Sequence, residues 1–267
     1  MILFYFCIFI FGLIAGSFLN YVIYRLSIEN YGFFKNILGP KSRSYCPKCD
    51  HVLNWQDLLP VFSYLYLGGK CRYCKKPISM QYPLVEVLTG VLFLLILQLE
   101  LRISTNMFNF ADLCFLLYIT AVLIIIFFYD LRHYVIPDRI LFPAIVVTFL
   151  YQFIFNQPFL LFNALWAAAG SFVFFTIIFL ISKGTWIGFG DCKLVILLGF
   201  LLGFPATLLA LFLAFLLGAI IGISAIALKK KGIKSALPFA PFLVTGSFIA
   251  LFWGHQVISW YIHLLLF

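Results

Sequence analysis

The stretch Gly188-Phe189-Gly190-Asp191-Cys192-Lys193 places a carboxylate between two apolar runs of the kind that enter a lipid bilayer. Acids are scarce here, because Asp and Glu together number nine in 267 residues. A carboxylate at a membrane edge is costly to dehydrate, which favours a functional role for Asp191. The flanking glycines allow a sharp bend and a close approach of another chain. The alternative is that Asp191 caps the following helix, and this segment alone leaves both interpretations open.

Asp130 is the second acid with an unusual position. It ends the apolar run 109–129, so it lies at the C-terminal end of a predicted helix, where the helix dipole disfavours an anion. Its structural alternative is an ion pair with one of the basic residues that follow, Arg132, His133 or Arg139. Asp138, in contrast, follows a proline and is predicted to cap the next helix.

Four cysteines form two Cys-x-x-Cys pairs, at 46–49 and 71–74, separated by 21 residues. This separation is just outside the usual spacing of zinc ribbons. Four thiolates satisfy tetrahedral zinc and leave no open position, so a structural zinc site on Cys46, Cys49, Cys71 and Cys74 is predicted. His51 lies close enough in sequence to replace one thiolate, but four cysteines already complete the set. The remaining cysteines, Cys7, Cys114 and Cys192, are predicted to be small buried hydrophobic residues.

Glu86 is a third acid that enters a predicted membrane span, shortly after Pro83. One interpretation is electrostatic, because an acid near a helix N-terminus interacts favourably with the helix dipole. The other is functional, because a Glu at the membrane edge is costly without a partner. In the first span, Gly16 and its small neighbours predict close packing of another helix. Asn20 near the end of that span is interpreted as part of an interfacial anchor.

The composition identifies the class of protein that must position these residues. Hydrophobic residues make up 64% of the chain, charged residues 10%, and the mean hydropathy is +1.11. These values indicate an all-α polytopic membrane protein. Charges, prolines and polar clusters divide it into about eight transmembrane helices, at 2–24, 83–100, 109–129, 139–155, 160–182, 192–204, 206–228 and 241–265. The sixth is short and meets the seventh at Gly203-Phe204-Pro205.

The positive charges predict the orientation of these spans. With the N-terminus outside, 17 of the 18 Lys and Arg residues lie on the cytosolic side, and only Arg102 lies outside. The net charge of +9 is therefore explained by topology, and no nucleic-acid partner is predicted. Both termini are expected outside, and the first span is expected to be uncleaved. The cysteines then lie in the cytosol, where disulfides are rare.

This orientation places Asp130 and Asp191 at the same cytosolic membrane edge. If the two carboxylates come within hydrogen-bond reach, they cannot both ionise and must share one proton. The ionised carboxylate can then accept a proton from water while the protonated one polarises a carbonyl group, as in aspartic proteases. The sequence predicts a shared depth in the membrane but not a contact.

Several stretches together resemble the type IV prepilin peptidases, the GxGD-type intramembrane aspartyl proteases that are both leader peptidases and N-methyltransferases of the bacterial inner membrane. They are GSFLNYVIYRL at 16–26, CPKC at 46–49, DLLPVFSYL at 57–65, GKCRYC at 69–74, PISMQYPLVEVLTG at 77–90, DLRHYVIPD at 130–138 and GFGDCK at 188–193. The resemblance covers nearly the whole chain. This sequence departs from the family at Ser27-Ile28-Glu29, where a proline is common.

The resemblance implies that Asp130 and Asp191 are catalytic, with Gly188, Gly190 and Lys193 as supporting motif residues. It implies prepilin or pseudopilin substrates with a short basic leader, cut on the cytosolic side after a Gly and typically before Phe. S-adenosylmethionine would then methylate the new N-terminus, a function that maps onto the loop 26–82 and Glu86. The predicted organisation is a first transmembrane helix at 1–25, a four-cysteine zinc domain at 26–82 and a protease bundle at 83–267. Leader recognition is expected to use acids of the loop, namely Glu29, Asp50 or Asp57.

Four other classes of function are alternatives to this interpretation. A zinc intramembrane metalloprotease needs a His-Glu-x-x-His run, and the sequence has none. A transporter would carry polar residues at the middle of the membrane, whereas these acids cluster at its inner edge. A leader peptidase without methyltransferase activity is the main alternative, and the four cysteines and Glu86 argue against it. A non-enzymatic scaffold would retain pilin processing in cells after both aspartates are replaced by alanine.

Overall fold

The computed structural model describes residues 2–27, 44–103, 109–155, 157–228 and 237–266. Within these ranges the chain is mostly helical and has no strand, only two isolated β-bridges. The helices are α1 (Ile2–Leu26), α2 (Phe62–Tyr66), α3 (Gln81–Ile103), α4 (Phe110–His133), α5 (Asp138–Phe155), α6 (Pro158–Ser182), α7 (Phe189–Leu202), α8 (Ala206–Ala227) and α9 (Ala240–Leu266). A short 3₁₀ helix, Trp55–Leu58, precedes α2.

Seven of the described helices are long and apolar enough to cross a membrane. These are α1, α3, α4, α5, α6, α8 and α9. The prediction of an all-α polytopic chain is confirmed, but the predicted count of about eight spans is met only in part. The difference is α7, which at 14 residues extends about 21 Å, less than the ~30 Å hydrocarbon core.

The chain divides into two compact units, Met1–Ile125 and Ile126–Phe267, with the boundary inside α4. In the first unit, α1 packs on α3 through glycines. A Cβ atom added to Gly12 would lie 2.7 Å from Gly90 Cα, and one added to Gly16 would lie 2.6 Å from Glu86 Cα. Close packing at Gly16 is thus confirmed. Asn20 is buried in this contact and donates a 3.0 Å hydrogen bond to the carbonyl of Tyr82.

In the second unit, α7 is the central helix, packed against α5, α6 and α9. A helix that is apolar on every side is stable when it is buried. Leu194, Val195, Leu197 and Leu198 are accordingly inaccessible to solvent. Ser171 of α6 donates to the Val195 carbonyl at 3.2 Å, and Gln152 of α5 donates to the Phe200 carbonyl at 2.8 Å.

The three cysteines outside the paired motifs differ from each other in burial. Cys192 is fully buried in α7, as predicted. The prediction is wrong for Cys7 and Cys114, which are exposed on the surfaces of spanning helices. A thiol is apolar enough to face lipid, so an apolar span does not by itself determine which of its residues are buried.

Gly199 controls the packing of α7 on α6, because a Cβ atom there would overlap the backbone of Ala168. We expect Gly199→Ala to lower the stability of the folded protein by about 1–3 kcal/mol, the usual cost of overpacking. Thermal unfolding in detergent measures the loss. Gly170→Ala on α6 is the matched control, because no atom lies within 4 Å of the added Cβ. Equal melting temperatures for the two variants would contradict this account of the helix contact.

Candidate active site and metal centre

The C-terminal end of α4 and the N-terminal end of α7 bring Asp130 and Asp191 together. Both acids are buried, with 5% and 7% of their surfaces exposed, and their carboxylates are close enough to interact electrostatically. The intervening loop supports this approach, because Ile136 packs directly against Gly190, 3.2 Å from the position of an added Cβ. The site thus contains two buried carboxylates at one end of the helices that carry them.

Asp130 has an environment that its own helix does not provide. Its carboxylate accepts a hydrogen bond from the backbone N–H of Ala240, the first residue of α9. The positive end of the α9 dipole therefore faces the acid and compensates for its position at the C-terminal end of α4. The Oδ2 atom of Asp130 is buried without a hydrogen-bond partner among the described residues. None of the predicted basic partners, Arg132, His133 and Arg139, forms a salt bridge with Asp130 in the described part of the chain.

Asp191 lies in the first turn of α7, where Gly188 is the N-cap residue and Asp191 contributes to capping from the third helical position. Its Oδ2 atom accepts a hydrogen bond from the backbone N–H of Gly188 at 3.2 Å. This is the reciprocal half of a capping arrangement, in which an acid at the third helical position bonds the residue that begins the helix. Capping and function are therefore compatible, because the same bond fixes the direction of the carboxylate.

Lys193 pairs with Asp138 instead of Asp191. Its Nζ atom lies 2.7 Å from both carboxylate oxygens of Asp138, the first residue of α5. The ammonium also lies over the rings of Phe142 and Phe189, at 5.3 and 5.2 Å from their centroids. The Lys193 side chain is 18% exposed and that of Asp138 is 50% exposed, so the rings cover the ammonium while water still reaches the carboxylate. The pair joins the N-terminal end of α5 to α7, the helix that carries Asp191.

The four paired cysteines form a separate cluster in the first unit. Their sulfur atoms all lie within 4.8 Å of one another, and Cys46 Sγ is 4.0 Å from Cys74 Sγ. Tetrahedral Zn–S bonds of ~2.3 Å require S–S separations of about 3.8 Å, so the donor set fits a metal ion. A disulfide needs a separation of about 2.05 Å, and the described cysteines are all free.

The two cysteine turns have the same backbone design. In each, the residue before the first cysteine bridges to the residue three places after the second, Tyr45 to Val52 and Lys70 to Pro77. The residue after each second cysteine, Asp50 or Lys75, adopts a positive φ of 54° or 58°. The equivalent turns aim four sulfurs at one point, which the sequence spacing alone did not determine.

The thiols of these turns differ in acidity because of their surroundings. Although burial opposes it, backbone N–H groups of Cys74 and Tyr73 lower the pKa of Cys71 to about 7. Although the His51 backbone favours its thiolate, desolvation and the adjacent Cys46 and Cys74 raise the pKa of Cys49 to about 12. A cation bound at this cluster would neutralise four thiolates at this spacing.

Glu86 is buried near the start of α3 and touches both the first span and the loop. Its Oε2 atom accepts a hydrogen bond from the backbone N–H of Val61 at 2.8 Å, and Ser17 of α1 also bonds the carboxylate. Glu86 is 7% exposed. The helix-dipole interpretation omits these partners, which lie far from Glu86 in sequence.

Comparison with known proteins identifies the family. Residues 10–99 match the bacterial peptidase A24 N-terminal domain, and residues 117–223 match the type IV leader peptidase family. A prepilin leader peptidase/N-methyltransferase from Aeromonas hydrophila is 33% identical over 97% of this chain and 94% of its own length. The chain belongs to the type IV leader peptidase family. The relative of the same name from Bacillus subtilis is 34% identical over 97% of this chain and 98% of its own length. No solved structure gave a significant match.

The two family matches divide the site residues of this leader peptidase family member between them. The N-terminal match covers the four cysteines and Glu86, and the peptidase match covers Asp130, Asp191 and Lys193. Sequence reasoning missed Ala240, Ser17 and Val61, because each contributes through its position in a contact distant in sequence. The proline before Asp138 correctly indicated that a helix starts there, but nothing in the sequence indicated that Asp138 forms an ion pair with Lys193.

We expect Lys193→Met and Asp138→Asn each to lower peptide cleavage by about 10- to 100-fold, because small displacements of reacting groups are costly. The double variant should be no slower than the slower single variant, because both changes remove the same pair. Initial cleavage rates across a pH series measure this. Arg139→Gln, next to Asp138 but outside the pair, is the control. A shift of the pH optimum in Lys193→Met alone would instead indicate a direct charge effect on Asp191.

Proposed function

We propose that Asp130 and Asp191 are the catalytic pair with which this member of the family cleaves leader peptides. The observation that carries the proposal is the presence of two buried carboxylates within electrostatic range at one end of α4 and α7. Gly188 and Gly190 support the pair, the first by bonding Asp191 and the second by admitting Ile136. Lys193 supports it through Asp138.

The pair would cleave an amide by sharing one proton. The ionised carboxylate accepts a proton from water as the water oxygen bonds to the scissile carbonyl carbon. The protonated carboxyl group donates its proton to the carbonyl oxygen, and a neutral tetrahedral intermediate forms. Breakage of the C–N bond returns one proton to the leaving amine and leaves a carboxyl group on the other product. The N–H groups of Gly188 and Ala240 keep the two acids oriented throughout.

The substrates are prepilins or pseudopilins that carry a short basic leader before an apolar stem. This proposal is supported by the names of the relatives, which are prepilin leader peptidases. The cut would follow a Gly, typically before Phe, at the cytosolic edge of the membrane. Of the acids proposed to recognise the leader, Glu29 lies outside the described residues. Of the two described candidates, Asp57 already binds Arg72 at 2.7 Å, whereas Asp50 is exposed.

The ion pair of Asp57 with Arg72 has a structural role in the cysteine domain. Although burial alone would raise it, the guanidinium of Arg72 holds the pKa of Asp57 below its ordinary value. Tyr73 and the backbone of Asn54 also donate to this carboxylate, each at 3.2 Å. Asp57 therefore stays ionised at neutral pH and ties the 3₁₀ helix to the second cysteine turn.

S-adenosylmethionine would supply the methyl group that the amine released by cleavage receives, and S-adenosylhomocysteine and one proton would be the other products. The relatives' names include this second activity. We assign it to the cytosolic zinc domain at 26–82 together with Glu86, and cleavage to the bundle at 83–267. Residues 1–25 form the first membrane helix. One zinc ion on Cys46, Cys49, Cys71 and Cys74 would be structural, since all four positions of a tetrahedron are filled.

The proposed location is the bacterial inner membrane, with both termini outside and the cysteine domain and aspartates on the cytosolic side. The support is the distribution of positive charge, with 17 of 18 Lys and Arg residues assigned to one side. Membrane lipid surrounds the seven spanning helices. We propose eight membrane-embedded helices in total, with α7 held inside the bundle.

Co-expression with a candidate prepilin, followed by mass measurement of the product, tests both activities. We expect a product that has lost its leader and gained one methyl group at its N-terminus. A cleaved but unmethylated product would favour the alternative of a peptidase without methyltransferase activity. An uncleaved prepilin, with the chain inserted in the membrane, would contradict the proposed protease.

A further inference from the structure

Val61 occupies a rare and strained turn. Phe62 donates its backbone N–H to the Pro60 carbonyl at 2.6 Å, and Val61 between them has φ 63° and ψ −48°. These are close to the angles of the classic γ-turn, which is uncommon because it is strained. A β-branched residue with positive φ is an outlier even among turns. Such a conformation persists only where the surrounding structure enforces it.

Glu86 provides this enforcement. Its carboxylate accepts the Val61 N–H at 2.8 Å while Ser17 of α1 bonds the same group. The close packing of Gly16 against Glu86 Cα fixes the helix backbone beneath the carboxylate. The turn is therefore attached to the α1–α3 contact through one buried side chain.

The turn determines where the neighbouring segment lies. Val61 is the N-cap residue immediately before α2, and its side chain makes no capping hydrogen bond. On the other side, Asp57 connects the 3₁₀ helix to Arg72 in the second cysteine turn. Within α2, the Tyr64 hydroxyl contacts Met80 Sδ at 3.3 Å. Segment 57–66 thus lies between the second cysteine turn and the start of α3, and Val61 attaches it to α3 through Glu86.

We propose that Glu86 is a positioning residue, which anchors the strained turn at Val61 and thereby holds segment 57–66 in place for methyl transfer. It acts through the backbone of Val61 and exchanges no proton with the substrate. The inference rests on the proposed assignment of methyl transfer to this part of the chain.

Four variants of the full-length protein in detergent or liposomes test the proposal: Glu86→Gln, Glu86→Ala, Val61→Gly and the double variant Glu86→Ala/Val61→Gly. Glutamine retains an oxygen acceptor, so Glu86→Gln should methylate within about threefold of the native rate. Loss of the acceptor in Glu86→Ala should lower methylation at least about tenfold. Glycine adopts positive φ without steric cost, so the double variant should recover at least about threefold over Glu86→Ala. Glu100→Gln, a buried acid on the same helix, is the matched control.

Hydrogen exchange gives a readout that does not depend on activity. We expect the amides of residues 61–66 to exchange faster in Glu86→Ala than in the native chain, and to regain protection in Glu86→Gln. Metal content and leader cleavage, measured on the same samples, establish that each variant is folded. The proposal is wrong if Glu86→Gln methylates as slowly as Glu86→Ala and the double variant recovers no activity over Glu86→Ala. Glu86 would then take part directly in the chemistry of methyl transfer.

The failure of the proposed function gives a different result. Suppose that the native chain never methylates its cleaved product but the exchange pattern follows the prediction. Glu86 then anchors the turn at Val61 as proposed, and the assignment of methyl transfer to this part of the chain is wrong. If exchange over residues 61–66 is identical in all the variants, the anchor itself is contradicted, whatever the methylation rates are.

Discussion

We expect Asp191→Asn to abolish leader cleavage, with a rate loss of at least about a thousandfold, because one member of a proton-sharing pair can no longer ionise. Asparagine has nearly the shape of aspartate, and its amide oxygen can still accept the Gly188 N–H. The first turn of α7 should therefore remain intact, and the variant should insert and fold like the native chain. The mass of a co-expressed prepilin, cleaved or uncleaved, measures the loss.

Asp130→Asn should have the same effect, and the double variant should be no slower than either single variant, because the two acids act as one unit. Glu100→Gln is the control, since Glu100 is a buried acid of α3 that has no proposed role in cleavage or leader recognition. Retention of more than a tenth of native cleavage by either single variant would remove that acid from the proposed pair.

The second large effect concerns the cysteines. We expect about one zinc ion per chain, and Cys46→Ser combined with Cys71→Ser should remove it, because a serine hydroxyl does not ionise at neutral pH. Structural zinc contributes about 10–16 kcal/mol of apparent binding free energy in small domains. Most of the fold of residues 44–80 should therefore be lost with the metal. Elemental analysis of the purified chain and limited proteolysis of this segment measure the two consequences.

Cys7→Ser and Cys114→Ser serve as controls, because both cysteines lie on exposed surfaces of α1 and α4. They should leave metal content and proteolysis unchanged. An unchanged metal content in the variant without Cys46 and Cys71 would show that these thiols do not hold the ion. A metal other than zinc would leave the four-thiolate site in place and correct only its identity.

Two parts of the site could be predicted from local sequence. The Cys-x-x-Cys pairs indicate a metal site because each pair forms its own turn, and the equivalent bridges at Tyr45 and Lys70 reflect that local origin. Acids at the ends of apolar runs indicate a catalytic pair, because the cost of dehydrating a charge does not depend on how the rest of the chain folds. The apolar runs also predicted where the long helices lie. The role of the short α7 was harder to predict, since hydropathy does not distinguish a buried core helix from a membrane span.

The amino-acid sequence by itself determined the membrane class, the family, the four thiols and the two acids, because these depend on residue type and on spacing along the chain. Only the tertiary structure decided which groups meet these residues. It brought the α9 N-terminus to Asp130, Asp138 to Lys193, and Val61 to Glu86. Each contact joins positions at least 25 residues apart. Hydrogen bonds and ion pairs are formed over about 3 Å in space, and no local pattern of residues encodes which distant backbone group will arrive there.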